Sequence, residues 1–138
     1  MQLKKFSNNM NILGNGVDIV DNKRIEKLLI NNNFLKRIFT TNEIKISKNR
    51  KNKINYFAKR FAAKEAFVKA LGTGFRNKIN FSDIEIINDI NGKPKLKISA
   101  KIKQFIQKKF KTKKTNIYVS LSDEKKYSIA YVILENLS

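Results

Sequence analysis

The sequence predicts a single α+β domain in which helices pack on a largely antiparallel sheet. Strand-like segments occur in adjacent pairs instead of alternating with helices, which favours this class over a doubly wound fold. One long segment has the apolar periodicity of a buried helix. The 138 residues, 41% hydrophobic and 30% charged, have the composition of a folded chain. We expect a loose extension at residues 1–11 and one domain over residues 12–138.

The first half of the chain begins with a strand and continues with helices. Asp21 is a suitable N-cap for the first helix, and the asparagines at 31–33 end it. Thr40 and Glu43 have the spacing of a capping box. The predicted segments are a strand at 11–20, helices at about 22–31 and 34–39, and a cationic stretch at 45–53 that indicates a helix end and an exposed loop.

The second half begins with the strongest predicted helix, residues 56–71, which Gly72 ends. Asn91-Gly92 is a hairpin signal between two short strands, and Ser99 is the expected N-cap of a lysine-rich helix. The remaining predicted segments are strands at 81–87, 95–98, 117–122 and 127–134 and a helix from 99 to about 111.

The residue types that are missing exclude several classes of chemistry. The chain has no Cys and no His. It therefore has no disulfide, no thiolate nucleophile, no thiolate-bound metal and no imidazole base. Catalysis by this chain must use carboxylates, lysine, arginine, hydroxyls, backbone groups or a hard metal ion.

The net charge of +19 comes from 30 Lys and Arg against 11 Asp and Glu. Such a charge favours acidic partners: a nucleic acid, an anionic membrane, an acidic protein or a phosphorylated small molecule. The predominance of Lys over Arg is equally consistent with the codon usage of an AT-rich genome. No segment has the roughly 20 apolar residues of a membrane span, and no secretory signal is present, so we expect a cytoplasmic protein.

The long helix has an apolar stripe, which charged residues interrupt; the residues of the stripe are Phe57, Phe61, Phe67, Val68 and Leu71. Lys64 falls within the stripe, Glu65 falls at its edge, and Lys69 lies one turn beyond Glu65. Lys64 then either extends its ammonium to solvent or is paired or ligated inside. Glu65 and Lys69 either form a surface ion pair or belong to a site, in which Arg60 and Lys64 are further cations for phosphate groups.

Asp18 is an acidic residue in an otherwise apolar strand, after Gly14 and Gly16. It is either a solvent-facing residue of an edge strand or a ligand for a hard metal ion. Two carboxylates from different segments, with cations nearby, suit Mg²⁺ bound to a phosphate ester. The Gly72–Gly74 turn either binds phosphate through its N–H groups or simply ends the helix.

Six segments together resemble the holo-acyl-carrier-protein synthases of the 4′-phosphopantetheinyl transferase superfamily. The most specific is FAKRFAAKEAFVKALGTG at 57–74, which resembles the central motif of that family. The others, in family order, are GNGVDIVDNKRI at 14–25, FTTNE at 39–43, FSDIEI at 81–86, NGKP at 91–94 and VSLS at 119–122. The resemblance covers about residues 12–135.

The resemblance implies a reaction and its participants. The enzyme would transfer 4′-phosphopantetheine from coenzyme A to a serine of apo-acyl carrier protein in fatty acid biosynthesis, releasing adenosine 3′,5′-bisphosphate. Mg²⁺ would be the cofactor, and the subunits would form a trimer with coenzyme A bound between neighbours. Either Glu65 or a metal-bound water can take the proton of the serine, and the sequence leaves both open.

The resemblance also assigns residues. Asp18 and Glu65 match the metal ligands, Glu65 and Lys69 are the implied catalytic residues, and Arg24 matches a position that faces the carrier protein. The positions implied to contact coenzyme A are Arg60, Gly72, Thr73, Gly74, Gly92 and Pro94. Asp123 departs from the family, because many members have a His at this position near the diphosphate.

Two other functions are alternatives to phosphopantetheine transfer to the fatty-acid carrier protein. The charge and the lysine-rich runs would suit a nucleic-acid binding module, although the chain has five Arg and no recognised nucleic-acid motif. A transferase of the same fold that modifies a polyketide or peptide synthetase carrier domain is the second alternative.

Overall fold

The computed structural model describes residues 11–76 and 79–137, and it confirms the α+β class. The elements are β1 (Asn11–Asp21), α1 (Asn22–Leu29), α2 (Asn32–Ile38), α3 (Thr41–Ser47), α4 (Lys53–Leu71), a 3-10 turn (Phe81–Asp83), β2 (Ile84–Asn88), β3 (Pro94–Ile98), α5 (Ala100–Phe110), β4 (Thr115–Asp123) and β5 (Tyr127–Asn136). Residues 1–10 of the expected extension lie outside the described residues, and Asn11 is the first residue of β1.

The described strands form two antiparallel sheets. β5 lies between β1 and β4 in a three-stranded sheet, and β2 pairs with β3 as a hairpin. Asp18 of β1 and Leu121 of β4 both lie opposite Ala130 of β5. Because neighbouring strands are about 4.8 Å apart, the two outer strands are separated by roughly 10 Å.

Helix α4 is the centre of the fold and packs on the inner face of the three-stranded sheet. The predicted apolar stripe is confirmed, since each of its residues is buried: Phe57, Phe61, Phe67, Val68 and Leu71. Gly14 and Gly16 let β1 lie directly on the helix backbone. A Cβ on either glycine would overlap a carbonyl oxygen of α4, from Ala70 and Ala66 respectively.

Two helices begin earlier than predicted, and asparagine N-caps explain the difference. Asn31 accepts hydrogen bonds from the backbone at the start of α2, so the asparagine run also begins a helix. Asn52 accepts from the backbone N–H of Asn55 at 3.1 Å, and α4 therefore starts at Lys53, three residues early. The first residues of the predicted strand at 81–87 form the 3-10 turn instead.

The two predicted N-terminal caps of the first half are present. The side chain of Asp21 accepts from the N–H of Lys23 at 2.9 Å. Thr40 and Glu43 make both bonds of a capping box, at 3.1 and 2.9 Å. In the described part of the chain, no helix combines the length and the apolar character that crossing a bilayer requires.

Candidate active site

Asp18 points from β1 toward α4, where Lys69 pairs with it. The strand alternation buries Gly16 and Val20 on the same face as Asp18. The ammonium of Lys69 donates to Asp18 Oδ1 and to the carbonyl oxygen of Val17, each at 3.0 Å. Lys69 thus bridges the helix and the strand instead of forming the surface pair with Glu65 that its spacing allowed.

Glu65 lies next to this pair and is electrostatically coupled to it. Burial raises the pKa of the Glu65 carboxyl, and the negative charge of Asp18 raises it further. Lys69 and Arg24 oppose the shift, because a positive charge favours the ionised carboxylate. We call Asp18, Glu65 and Lys69 the carboxylate cluster.

The carboxylate cluster has the donor chemistry of a magnesium site. Among the described residues, none makes a hydrogen bond or ion pair to the Glu65 carboxylate. Two carboxylates that repel each other are the arrangement that a divalent cation relieves. The described residues contain no group of three acidic or other metal-binding side chains. Mg²⁺ commonly takes one or two carboxylates and completes its shell with water and substrate phosphate, so the residues fit.

A second cluster surrounds Arg60, on the N-terminal half of α4. Here a cavity of about 160 Å³ is bordered by four cations. We call it the basic cavity, and its lining residues are Arg50, Lys51, Asn52, Asn55, Tyr56, Lys59, Arg60, Asn88 and Asp123.

Arg60 is held rigidly in the wall of the basic cavity. It is 4% exposed, and its guanidinium carbon lies 3.6 Å from the centre of the Tyr56 ring. Its terminal nitrogens donate to the carbonyl oxygen of Tyr56 at 3.4 Å and to Asn88 Oδ1 at 2.9 Å. Burial lowers the pKa of Arg60, although a guanidinium stays protonated in proteins. Its buried Nε has no hydrogen-bond partner in the part of the chain described, so one charged donor is left for a ligand.

The β2–β3 hairpin is tied to the same cavity. Asn88 accepts from Arg60 and donates through Nδ2 to the carbonyl oxygen of Gly92 at 3.0 Å. Pro94 lies opposite Asn88 in the strand register. Three positions that the resemblance assigns to coenzyme A, Arg60, Gly92 and Pro94, therefore lie near one another.

The Gly72–Gly74 turn ends α4 and uses its backbone donors to do so. The N–H of Gly72 donates to the carbonyl oxygen of Lys69, and those of Thr73 and Gly74 donate to Val68. The Thr73 hydroxyl donates to the carbonyl oxygen of Gly74 at 2.8 Å. These N–H groups are already used and are not free to bind phosphate. Of the two alternatives for the turn, phosphate binding by its N–H groups or ending the helix, the structure therefore has the second.

The structure does not gather all predicted site residues in one place. Gly72 lies 12 residues after Arg60, about 18 Å further along the helix axis. Lys69 of α4 contacts Asp18 on one outer strand, whereas Lys59 of α4 contacts Asp123 on the other. Helix α4 therefore stands between the carboxylate cluster and the basic cavity.

Lys64 is not a phosphate ligand and does not reach solvent. Its ammonium is fully buried and donates to Glu43 Oε1 at 2.6 Å, to the carbonyl oxygen of Ile38 at 2.7 Å and to that of Phe81 at 3.3 Å. Of the alternatives for Lys64, pairing inside the protein is confirmed, and the role of a phosphate-binding cation is wrong, because the capping residue Glu43 neutralises Lys64 there.

The predicted exposed loop is confirmed, since α3 ends at Ser47 and both Arg50 and Lys51 are exposed. Sequence reasoning did not show that this loop places Arg50 and Lys51 in the lining of the basic cavity beside Arg60. Their position just before the Asn52 cap of α4 was the available signal, because a cap fixes the residues that precede it close to the helix.

Comparison with known proteins gives a consistent result. Residues 14–132 match the sequence model of the 4′-phosphopantetheinyl transferase superfamily. A holo-[acyl-carrier-protein] synthase of Pelagibacter ubique is 56% identical over 126 residues, covering 91% of this chain and 98% of that protein.

Solved structures agree with the sequence comparison. A holo-[acyl-carrier-protein] synthase from Neisseria meningitidis superposes with a TM-score of 0.82 at 37% identity, covering 91% of this chain and all of that one. The synthase from Bacillus anthracis, solved in complex with CoA (3′,5′-ADP), gives 0.76 at 39% identity and covers 92% and 98%. The chain therefore belongs to the 4′-phosphopantetheinyl transferase superfamily and, within it, to the holo-[acyl-carrier-protein] synthase family.

Proposed function

We propose that this protein transfers 4′-phosphopantetheine from coenzyme A to a serine of apo-acyl carrier protein. The serine oxygen attacks the phosphorus that bears the pantetheine arm and loses its proton. The bond from that phosphorus to the bridging oxygen breaks, and adenosine 3′,5′-bisphosphate leaves. The observation that supports this most is that β1 and α4 bring Asp18 and Glu65, 47 residues apart in sequence, into one carboxylate cluster.

Asp18 and Glu65 are the residues that would hold Mg²⁺. When bound, the ion would neutralise charge on the diphosphate. Lys69 contributes a cation from the protein itself, and its side chain is 52% exposed, so it is accessible to a ligand above Asp18. Fixed positive charge of this kind favours a reaction in which negative charge moves to a leaving phosphate.

The basic cavity is proposed to bind a phosphate of the nucleotide part of coenzyme A. Arg60 offers it a buried donor without a partner, and Arg50 and Lys51 add charge beside it. Gly92 and Pro94 of the hairpin would then contact the nucleotide next to that phosphate. For Gly72, Thr73 and Gly74 we propose contact through the surface of the turn, since nothing lies near Gly74 on its side-chain face.

The first two helices are proposed to bind the carrier protein. They present exposed cations to solvent, namely Lys23, Arg24, Lys27, Lys36 and Arg37. Arg24 also lies close enough to Glu65 to affect its pKa. An acidic carrier that docks on these helices would therefore bring its serine to the carboxylate cluster, and the charge of the helices would speed the encounter.

We further propose a homotrimer in which each coenzyme A contacts two subunits. The outer face of the three-stranded sheet exposes large apolar side chains that a neighbour could cover: Val17, Ile19, Tyr118, Ile129 and Tyr131. Because α4 separates the carboxylate cluster from the basic cavity, one ligand meets both most directly when they come from adjacent subunits. Cytoplasmic fatty acid biosynthesis is the setting that we propose.

Mass spectrometry tests the reaction. Purified protein, coenzyme A and Mg²⁺ are incubated with an apo-acyl carrier protein, and the carrier is expected to gain the mass of one phosphopantetheine. A carrier with its serine replaced by alanine is the control. An unmodified carrier would refute the proposal, and faster modification of a polyketide or peptide synthetase carrier domain would reassign the substrate.

Mixing two inactive variants tests the shared site. Glu65→Gln removes a ligand of the carboxylate cluster, and Arg60→Ala opens the basic cavity. After co-refolding, mixed trimers should recover activity, because some interfaces then combine an intact carboxylate cluster with an intact basic cavity. If the mixture stays as inactive as either variant alone, each site lies within one subunit.

A further inference from the structure

Asp123 places a negative charge in the wall of the basic cavity. It is the last residue of β4, and two side chains of α4 hold it. Asn55 donates through Nδ2 to Asp123 Oδ2 at 2.7 Å, and the Lys59 ammonium lies 3.2 Å from Oδ1. The carboxylate is therefore fixed at the cavity instead of pointing freely into solvent.

A carboxylate at this position acts on a bound phosphate in two ways. It repels the phosphate directly, because both are negative. It also occupies Lys59, one of the four cations of the cavity, so that this ammonium is partly neutralised before any ligand arrives. The Lys59 and Asp123 side chains are both nearly a third exposed, which keeps each effect modest.

We propose that Asp123 is a specificity-determining residue that limits the affinity of the basic cavity for nucleotide phosphates. The inference rests on the proposed function, in which the nucleotide of coenzyme A binds there. Coenzyme A and the product adenosine 3′,5′-bisphosphate share that nucleotide, so a charge that weakens one weakens both. The benefit is faster release of the product, at the expense of a higher KM for coenzyme A.

Asp123→Asn tests the proposal, because an amide can keep a contact to Lys59 or Asn55 without the charge. Glu124→Gln is the matched control: it changes the net charge equally at the next residue, which does not line the cavity. Calorimetric titration with adenosine 3′,5′-bisphosphate should show a Kd about three- to tenfold lower for Asp123→Asn and nearly unchanged for Glu124→Gln. Equal shifts in both variants, or no decrease in Kd for Asp123→Asn, would overturn the proposal.

Kinetics separate this role from a structural one. Asp123→Asn should lower the KM for coenzyme A and strengthen product inhibition. A loss of structure at the cavity would instead raise the KM and weaken product inhibition. When Lys59 is also replaced by Gln, the gain in nucleotide affinity from Asp123→Asn should be smaller, because part of that gain comes from releasing Lys59 from its ion pair with Asp123. If Asp123→Asn increases the affinity for coenzyme A but not for dephospho-coenzyme A, the 3′-phosphate is the group in the cavity. If the affinity increases equally for both, the diphosphate is that group.

Inorganic pyrophosphate distinguishes this inference from the proposed function. If Asp123→Asn binds pyrophosphate more tightly while the unmodified protein transfers no phosphopantetheine, the proposed function fails and the role of Asp123 holds. If the unmodified protein is active and Asp123→Asn binds none of these ligands more tightly, the role of Asp123 fails and the function holds.

Discussion

Replacing Lys64 with methionine should destabilise the protein more than most substitutions of a charged residue do. Lys64 and Glu43 are both fully buried and paired at 2.6 Å. The Glu43 carboxylate also accepts from the N–H groups of Thr40 and Ile86, at 2.9 and 3.1 Å. Methionine has a similar volume, so Lys64→Met removes the ammonium without leaving a large cavity.

The cost follows from what is left behind. Without Lys64, the Glu43 carboxylate is a buried charge with two neutral donors, and the carbonyl oxygens of Ile38 and Phe81 lose their partner. Breaking a buried pair on one side typically costs about 3–5 kcal/mol, and a domain has only about 5–15 kcal/mol of stability. With a urea dependence of about 2 kcal/mol per molar, the unfolding midpoint should fall by roughly 2 M.

Urea unfolding followed by circular dichroism measures this change, at one fixed protein concentration because assembly would contribute to stability. The double variant Lys64→Met/Glu43→Gln has no charge left at the site of this pair and should recover part of the loss. A loss below about 1 kcal/mol for Lys64→Met would refute the reasoning, because it would mean that the pair is not buried as described.

Glu43→Gln alone should give a variant whose stability rises with pH. Burial lowers the pKa of Lys64, and Glu43 is the main group that raises it again. Without Glu43, the folded-state pKa of Lys64 falls further below the value in the unfolded chain. Between these two values the unfolded chain binds more protons, so raising the pH stabilises the folded state. A Glu43→Gln variant that loses stability from pH 7 to pH 9, relative to the unmodified protein, would contradict this.

Four further predictions concern the carboxylate cluster and the close contact of Gly16 with the backbone of α4. Asp18→Asn and Glu65→Gln should each abolish Mg²⁺-dependent transfer while circular dichroism stays unchanged; full activity in either would exclude that residue as a ligand. Lys69→Ala should reduce turnover by the equivalent of about 2–4 kcal/mol, and an unchanged kcat would remove it from the catalytic residues. Because the pKa of Glu65 is raised, protons compete with metal there, so calorimetric titration with MgCl₂ should give binding that weakens as the pH is lowered from neutral toward the usual carboxyl range. Gly16→Ala should cost about 3 kcal/mol in urea unfolding, since its Cβ would overlap the carbonyl oxygen of Ala66; a stable variant would show that the strand can move away from the helix.

The sequence predicted what depends on local pattern. The α4 stripe, the Thr40 capping box and the Gly72 stop each need only a few neighbouring residues, and the structure contains all three. Asp18 stood out because a charge in an apolar strand is costly without a partner. The N-caps Asn31 and Asn52 were not predicted, because asparagine is common both where helices end and where they begin. Only the backbone geometry decides which of the two applies.

What the sequence could not provide was the pairing of distant side chains. Glu43 satisfied its capping role locally, so nothing indicated that the same carboxylate also holds Lys64, 21 residues later. The basic cavity combines the segment before α4 with residues of β2 and β4, and no periodicity links these. Asp123 looked like a departure from a family pattern, and its contacts with α4 became evident only from the fold.

The order of residues along α4 explains how one helix can serve two sites. Lys64 is locked inward by Glu43, and the next residue, Glu65, is turned about 100° around the axis toward β1. Gly14 and Gly16 allow β1 to approach α4 closely enough for Asp18 to pair with Lys69. Arg60, one turn before Lys64, faces the other flank and the basic cavity. Because the buried pair and the glycine contact fix the rotation of the helix, a change in either should disturb both clusters together. In the proposed trimer, each coenzyme A would meet Glu65 of one α4, with Asp18 of the adjoining β1 beside it, and Arg60 of α4 in the next subunit.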